Sequence, residues 1–269
     1  MIWLRAFALL LCAASVASAQ QPAPPPADPV VDEGRLEAWP WLASVPLLGL
    51  ALTLELTVEV DEARWRGAGP IDRGLESWAR DTARGRRRAD LASDLFLYAM
   101  FAAPVLDAVL WREGASPSRD SYRLLAADAF AFSIETLAVV ATKIAFRRAR
   151  PYDRGCRGDP GYDPGCESES RYRAFVSGHT TAAFTGASLV CAHQRLRGLS
   201  PLGRVECVAS LLIASLTGAM RMVGEKHYFA DVAAGAVLGF LAGFVVPIYV
   251  YPRSLPQRAP APTVSQRAW

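Results

Sequence analysis

Histidine is scarce in this chain, which has three among its 269 residues: His179, His193 and His227. No histidine or further cysteine stands at ligand spacing near Cys156 and Cys166, which argues against a tetrahedral zinc site there. The alternation of β-branched and polar residues that marks strands is missing from all but fragments. No internal repeat or long polar linker divides the chain into two domains. These absences leave a single all-α domain as the predicted fold.

Charged residues are also few, at 20% of the chain against 52% apolar residues. Six apolar segments are each long enough for a helix: 41–60, 93–111, 123–146, 179–193, 205–223 and 229–251. Pro151, Gly198, Pro201 and Gly224 mark segment ends. The polar stretch 61–92 has an amphipathic middle that includes Ile71, Leu75 and Trp78 and predicts a short surface helix. The sequence therefore predicts a six-helix bundle.

Several features favour a bundle embedded in a membrane. The last segment has the length and the small-residue pattern of a membrane span. Aromatic residues stand at segment ends, as in an interfacial belt: Trp39, Trp41, Trp111, Tyr249 and Tyr251. Carboxylates in or beside the apolar runs would be costly against lipid: Glu55, Glu59, Asp94, Asp107, Asp128 and Glu135. They could instead be core polar groups of a soluble bundle, so this alternative stays open.

The two ends of the chain differ in composition from the helical region. Residues 1–19 contain Arg5, a short apolar run and the small residues Ala17-Ser18-Ala19, which predict a signal peptide, with an uncleaved anchor as the alternative. A Pro-rich tether is predicted over 20–40 and a disordered tail over 253–269. The helical domain is then 41–252.

Four cysteines would remain after signal cleavage, in two local pairs: Cys156 with Cys166 and Cys191 with Cys207. An exported chain meets an oxidising compartment, so two disulfides are expected. However, six spans that start from an exported N-terminus would place the 147–173 loop in the cytoplasm. A wholly exported bundle, or fewer spans, would remove this conflict. We predict a bacterial-type cell envelope protein, membrane-bound with its active site on the exported side, or else soluble in the periplasm.

Two clusters of residues suggest a phosphate site at one end of the bundle. Lys143 and Arg150 are two turns apart on nearly the same helix face, so both cations can converge on one anion. Ser177, Gly178 and His179 open the fourth segment, where a capping Ser and free main-chain amides favour anion binding at a helix N-terminus. His179 would stand beside the bound anion as a general acid.

The third cluster is Arg221, His227 and Asp231, at the junction of the last two segments. Arg221 can bind two phosphate oxygens. His227 and Asp231 are four residues apart, so the carboxylate could hold one ring nitrogen and leave the other as a nucleophile. All three clusters fall at the same end of antiparallel helical hairpins and can face one cavity. His193 lies at the far end of its helix and is expected to be structural.

These residues resemble the superfamily of type-2 phosphatidic acid phosphatases and vanadium haloperoxidases. The resemblance rests on Lys143 with Arg150-Pro151, then Ser177-Gly178-His179, then Arg221, His227 and Asp231, in that order and at the required spacing. Val176 and Met220 stand where the family usually has Pro and often has Ser.

The resemblance implies a metal-independent phosphatase without a cofactor. His227 would form a phosphohistidine, Asp231 would orient it, and His179 would protonate the leaving group, while Lys143, Arg150, Ser177, Gly178 and Arg221 would hold the phosphate. The expected partners are the membrane and a phosphorylated lipid, such as a lipid phosphate or a polyprenyl diphosphate, and not nucleic acid. The alternatives are a soluble exported acid phosphatase of broad specificity, a phosphotransferase, and a vanadate-dependent haloperoxidase.

Overall fold

The computed structural model describes residues 33–74, 82–110 and 119–250. Within these ranges it contains six long helices, one single-turn α-helix and two short 3-10 helices (Pro164–Glu167 and Glu169–Tyr172), and no strand. The helices are α1 (Glu33–Thr57), α2 (Ala83–Leu110), α3 (Arg119–Phe146), α4 (Asp153–Cys156), α5 (Gly178–Leu196), α6 (Pro201–Val223) and α7 (Phe229–Val250). The predicted all-α fold with six long helices is therefore confirmed.

Some predicted boundaries need correction. α1 begins at Glu33, so residues 33–40, assigned to the tether, are helical. The reason is local, because Leu36, Glu37 and Ala38 favour a helix and no proline precedes Pro40 in this stretch. Of the predicted surface helix, residues 70–74 form a turn, whereas Leu75 and Trp78 lie outside the described residues. The signal peptide, the tether before residue 33, the tail and residues 75–81 lie outside the described residues.

Helix α5 lies at the centre of the bundle and packs against α2, α3, α6 and α7. Its residues are mostly small, and 14 of its 19 are buried. The contact with α7 is close, because a Cβ at Gly239 would collide with the main-chain oxygen of Thr181. Small residues at such positions let helix backbones approach each other. α5 thus supplies the scaffold on which the other helices are arranged.

Five of the other helices are long and apolar enough to cross a membrane, and the spans are Ala38–Thr57, Ala83–Val109, Ser121–Phe146, Pro201–Val223 and Phe229–Val250. Their outer faces expose many large apolar side chains, including Leu42, Leu52, Leu95, Val105, Val205, Leu212, Val237 and Leu241. An exposed apolar surface of this extent calls for lipid or another apolar partner. The domain is therefore a membrane protein, as predicted.

Three of the six carboxylates that argued for a soluble bundle are turned inward, whereas Glu55 and Glu59 are exposed and Asp94 is partly exposed. Asp128 and Glu135 are buried, and Asp107 and Asp128 bind the two ring nitrogens of the buried His193 at 2.7 and 2.9 Å. A carboxylate that is paired inside a bundle does not face lipid, so the free-energy cost of placing a charge against lipid does not apply to it. His193 has the structural position that was expected of it. Both predicted disulfides are formed, Cys156–Cys166 and Cys191–Cys207.

Candidate active site

The segments that carry the three predicted clusters meet at one end of the bundle. Main-chain hydrogen bonds join them: the Ser177 amide donates to the Asp231 carbonyl at 3.1 Å, and the Ala174 amide donates to the Arg148 carbonyl at 2.9 Å. The Tyr152 amide donates to the Glu225 carbonyl at 3.2 Å. These bonds fix the end of α3, the start of α5 and the α6–α7 corner relative to one another.

The N-terminus of α5 has the features of an anion site. Ser177 is the N-cap, and its hydroxyl accepts a hydrogen bond from the Thr180 amide. The Lys143 ammonium lies over the next residue, since a Cβ at Gly178 would be 3.3 Å from Nζ. Lys143 forms no hydrogen bond or ion pair with any described residue. A cation without a partner, beside the positive end of a helix dipole, is suited to bind an anion.

His227 is buried, and its tautomer follows from its contacts. Nδ1 lies 2.8 Å from the Ala174 carbonyl oxygen, which can only accept a hydrogen bond, so Nδ1 carries the proton. Nε2 then keeps its lone pair, which is the electron pair a nucleophile needs. The Arg150 Nη1 atom lies 3.4 Å from this nitrogen. The pocket therefore places a neutral imidazole next to a fixed guanidinium group.

The expected hydrogen bond between Asp231 and His227 is not formed, because Asp231 Oδ2 lies 3.7 Å from Nδ1. Spacing by four residues brings side chains together only within a helix, and α7 begins at Phe229, after His227. Asp231 Oδ2 instead accepts a hydrogen bond from the Tyr228 amide at 2.9 Å. The Ala174 carbonyl thus takes the orienting position that was predicted for Asp231.

A buried arginine, which was not among the predicted site residues, holds Asp231 in place. Arg148 is fully buried and donates to Asp231 Oδ1 at 2.5 Å and to Asp72 Oδ2 at 2.6 Å. Its guanidinium lies 3.7 Å from the ring centre of Trp65 and 4.2 Å from that of Tyr228. The triad of Asp72, Arg148 and Asp231 therefore ties the α1–α2 connection to the site.

Helix α2 contributes two carboxylates that were also not predicted as site residues. Asp94 Oδ1 lies 2.8 Å from His179 Nε2, and Asp90 binds the Arg221 guanidinium. The Nε atom of Arg221 is buried and has no hydrogen-bond partner among the described residues. Asp90 and Asp94 are four residues apart and share one face of α2, a pattern that could have identified them. Without an anion in the pocket, these carboxylates balance part of its positive charge.

Burial and charge shift the titration of both site histidines, which lie outside the five spans. Burial, with Arg221 and Arg150 close by, lowers the pKa of His179 from 6.5 to about 3. Burial, with the same two arginines and Lys143, lowers the pKa of His227 well below its usual value. Both rings are therefore neutral at physiological pH when the pocket holds no anion. A bound phosphate would offset the cations and favour protonation of His179.

All eight predicted site residues thus lie at the same end of the bundle, and their roles stay predictions. Asp72, Asp90, Asp94 and Arg148 join them in the structure. Arg150 lies beyond the end of α3 at Phe146, whereas it was predicted to lie on the same helix as Lys143.

Parts of the chain are similar to known proteins. Residues 124–254 match the model of the PAP2 superfamily. The chain is 31% identical over 121 residues to a lipid A 1-phosphatase of Porphyromonas gingivalis, a match that covers 45% of this chain and 22% of that protein. It also resembles the crystal structure of a transmembrane PAP2 type phosphatidylglycerolphosphate phosphatase of Bacillus subtilis. That similarity has a TM-score of 0.47 and 18% identity, and it covers 77% of this chain and 95% of the other.

Proposed function

Because the helical domain of this chain belongs to the PAP2 superfamily of type-2 phosphatidic acid phosphatases, we propose that the protein is a metal-independent phosphatase that hydrolyses a lipid phosphate through a phosphohistidine. One observation carries the proposal. The unprotonated Nε2 atom of His227 lies 3.4 Å from Arg150 Nη1, which can donate to it, in a buried, cationic pocket. Such a pocket binds the phosphoryl group and presents a nucleophile to it at once.

In the first step, His227 Nε2 forms a bond to phosphorus while the bond to the alcohol oxygen of the lipid breaks. His179 donates its proton to that leaving oxygen. In the second step, His179 takes a proton from water, whose oxygen attacks phosphorus and releases inorganic phosphate as the bond to Nε2 breaks. The phosphoryl group thus passes from the lipid to histidine and then to water.

The cations of the pocket would stabilise the charge that develops on the phosphoryl oxygens. Lys143, Arg150 and Arg221 supply the positive charge that a metal ion supplies in other phosphatases, and the hydroxyl of Ser177 and the amide of Gly178 complete the cradle. Arg221 has to exchange Asp90 for the phosphate on binding. Lys143 has no described partner to give up, so it is ready to meet the incoming anion.

A lipid is the favoured substrate because the pocket lies at the end of the apolar spans. A headgroup at the membrane surface could enter the cradle while the acyl or prenyl chain stays beside the exposed apolar helices. Lipid phosphates, polyprenyl diphosphates and, by analogy with the P. gingivalis relative, lipid A are the candidate classes. The soluble acid phosphatase alternative has less support, because that apolar surface would face water.

We propose that the active site faces the exported side, where the Cys156–Cys166 disulfide beside it is stable. Labelling of a cysteine placed at Arg195, at the opposite end of α5, by a membrane-impermeant reagent in intact cells would contradict this orientation.

The test of function is phosphate release in detergent with EDTA from phosphatidate, a polyprenyl diphosphate, lipid A and p-nitrophenyl phosphate. We expect release from at least one lipid, and a loss of more than about a thousandfold in His227→Asn, as for removal of a nucleophile. Acid-labile, base-stable labelling of the wild-type protein by a radioactive substrate would support the phosphohistidine.

Arg195→Gln is the matched control for that experiment, since Arg195 is exposed at the other end of α5. Full turnover in His227→Asn would overturn the assignment of the nucleophile. Transfer of the label to an added alcohol instead of water would favour the phosphotransferase alternative. Halide oxidation by the vanadate-loaded protein would favour the haloperoxidase.

A further inference from the structure

Three arginines surround one carboxylate beside the active site. Asp153 is buried and accepts hydrogen bonds from Arg157 at 2.7 and 3.2 Å and from Arg171 at 2.5 Å. Arg66, from the α1–α2 connection, lies 3.7 Å from the same carboxylate. We refer to Asp153, Arg66, Arg157 and Arg171 as the rim cluster. It gathers side chains from two separate loops around a single buried acid.

The rim cluster carries more positive charge than its internal pairing needs. Three guanidinium groups face one carboxylate, which leaves a surplus of two positive charges. Burial alone would raise the pKa of Asp153, but hydrogen bonds from Arg157 and Arg171 outweigh it and lower that pKa, so Asp153 stays ionised. The side chains of Arg66 and Arg157 are 47% and 54% exposed. Two guanidinium groups are therefore held in place yet remain open to solvent.

Main-chain contacts place this cluster next to the phosphate cradle. The Asp153 amide donates to the Arg150 carbonyl at 3.1 Å, and the Arg150 amide donates to the Arg171 carbonyl at 2.9 Å. Arg150 itself reaches to within 3.4 Å of the nucleophilic nitrogen of His227. Asp153 thus follows Arg150 within one turn of chain, Arg171 is hydrogen-bonded to Arg150, and all four members of the rim cluster lie outside the five membrane spans.

The positions of the arginines are supported by an aromatic ring. Arg66 and Arg171 lie 5.5 and 5.6 Å from the ring centre of Tyr172. A freely solvated arginine keeps more conformational entropy than one that is held by a buried carboxylate and an aromatic ring. A role in solubility alone therefore does not explain why these arginines are held. Guanidinium groups that are fixed in advance lose less entropy when they bind an anion such as a phosphate.

We propose that the rim cluster is a second anion subsite, which binds a further phosphate or phosphodiester group on the same headgroup as the phosphate that is cleaved. The inference rests on the proposed function and narrows its substrate class to lipids with two phosphoryl groups. Such a substrate bridges the two sites: the cradle of Lys143, Arg150 and Arg221 holds the group that reacts, and the rim cluster holds the other.

The test measures binding and does not depend on turnover. Isothermal calorimetry in detergent at low ionic strength compares a simple alkylphosphonate with alkane bisphosphonates that have one to four methylene groups between the phosphonates. We expect one bisphosphonate length to bind about tenfold or more tightly than the monophosphonate, since charge-assisted hydrogen bonds to a second group each contribute strongly. High salt should reduce this preference.

The variants isolate the rim arginines. In the double variant Arg66→Gln, Arg157→Gln, the ratio of the bisphosphonate affinity to the monophosphonate affinity should fall to about twofold or less. The reason is that the second phosphonate group loses its guanidinium partners. Arg195→Gln should leave the ratio unchanged. Arg66→Gln alone keeps both strong partners of Asp153 and should still lower the ratio, so the test remains valid if the double variant does not fold.

Equal affinity of the wild-type protein for all the phosphonates would overturn the subsite. Binding of two monophosphonates per protein, without tighter binding of any bisphosphonate, would show a site for a separate anion and would equally overturn the bridging proposal. These outcomes are distinct from a failure of the proposed function. A protein that cleaves monoesters but lacks the bisphosphonate preference refutes only the subsite, and one that binds bisphosphonates but releases no phosphate refutes only the phosphatase.

Discussion

Arg148→Met is the substitution whose effect on stability follows most directly from the structure. Arg148 is fully buried between Asp231 and Asp72 and lies against the rings of Trp65 and Tyr228. Methionine can fill much of the space between the rings, so little of the loss should come from packing. What is lost is the only positive charge that contacts both buried carboxylates among the described residues.

The size of the effect follows from the two buried charges left behind. Removal of one partner of a buried ion pair costs about 3–5 kcal/mol. For a domain of this size that corresponds to a fall in Tm of about 6–20 °C, at about 2–4 °C per kcal/mol. Turnover should fall as well, because Asp231 and the α1–α2 connection lose their common anchor. Thermal denaturation in detergent and phosphate release from the best lipid substrate measure the two effects.

A double variant separates charge from packing. Asp72→Asn in the Arg148→Met background removes one of the two unpaired carboxylates, so its Tm should lie above that of Arg148→Met alone, a sign of direct coupling. Arg148→Lys keeps the charge but not the forked geometry and should fall between Arg148→Met and the wild type. A Tm for Arg148→Met within about 2 °C of the wild type would refute the reasoning, since no buried pair of this kind is removed so cheaply.

Two further predictions concern the phosphate pocket. The pKa of His179 is about 3 in the folded protein against 6.5 for the free side chain, so the unfolded chain binds more protons between these values, and stability should decline as the pH falls from 6.5 towards 3. Denaturation across this pH range should show a smaller decline in His179→Gln, and an identical decline would contradict the assignment. Orthovanadate should inhibit competitively, and Lys143→Gln should weaken this inhibition by about tenfold or more, as expected for one charge-assisted contact. Inhibition that is noncompetitive, or unchanged in Lys143→Gln, would contradict the cradle.

The described part of the fold was largely predictable because it depends on local composition. Apolar runs with helical length, ended by Pro151, Pro201 and Gly224, were sufficient to predict six long helices. The tether boundary was wrong, because residues 33–40 already form the first turns of α1. The predicted residues Lys143, His179 and His227 lie at one end of the bundle because each stands at or beside a junction on that side of antiparallel helices.

The sequence by itself determined the helices, the order of the three clusters and the end of the bundle at which they lie, since each follows from residue type and spacing along the chain. Only the tertiary structure decided which atoms contact each other. It placed His227 Nδ1 in hydrogen-bond contact with the carbonyl of Ala174. Every residue carries a main-chain carbonyl, so residue type cannot predict this partner. The tertiary structure also brought Asp72, Asp90 and Asp94 to partners that are at least 76 residues distant in sequence, namely Arg148, Arg221 and His179, because packing and burial, and not spacing, determine which polar groups meet.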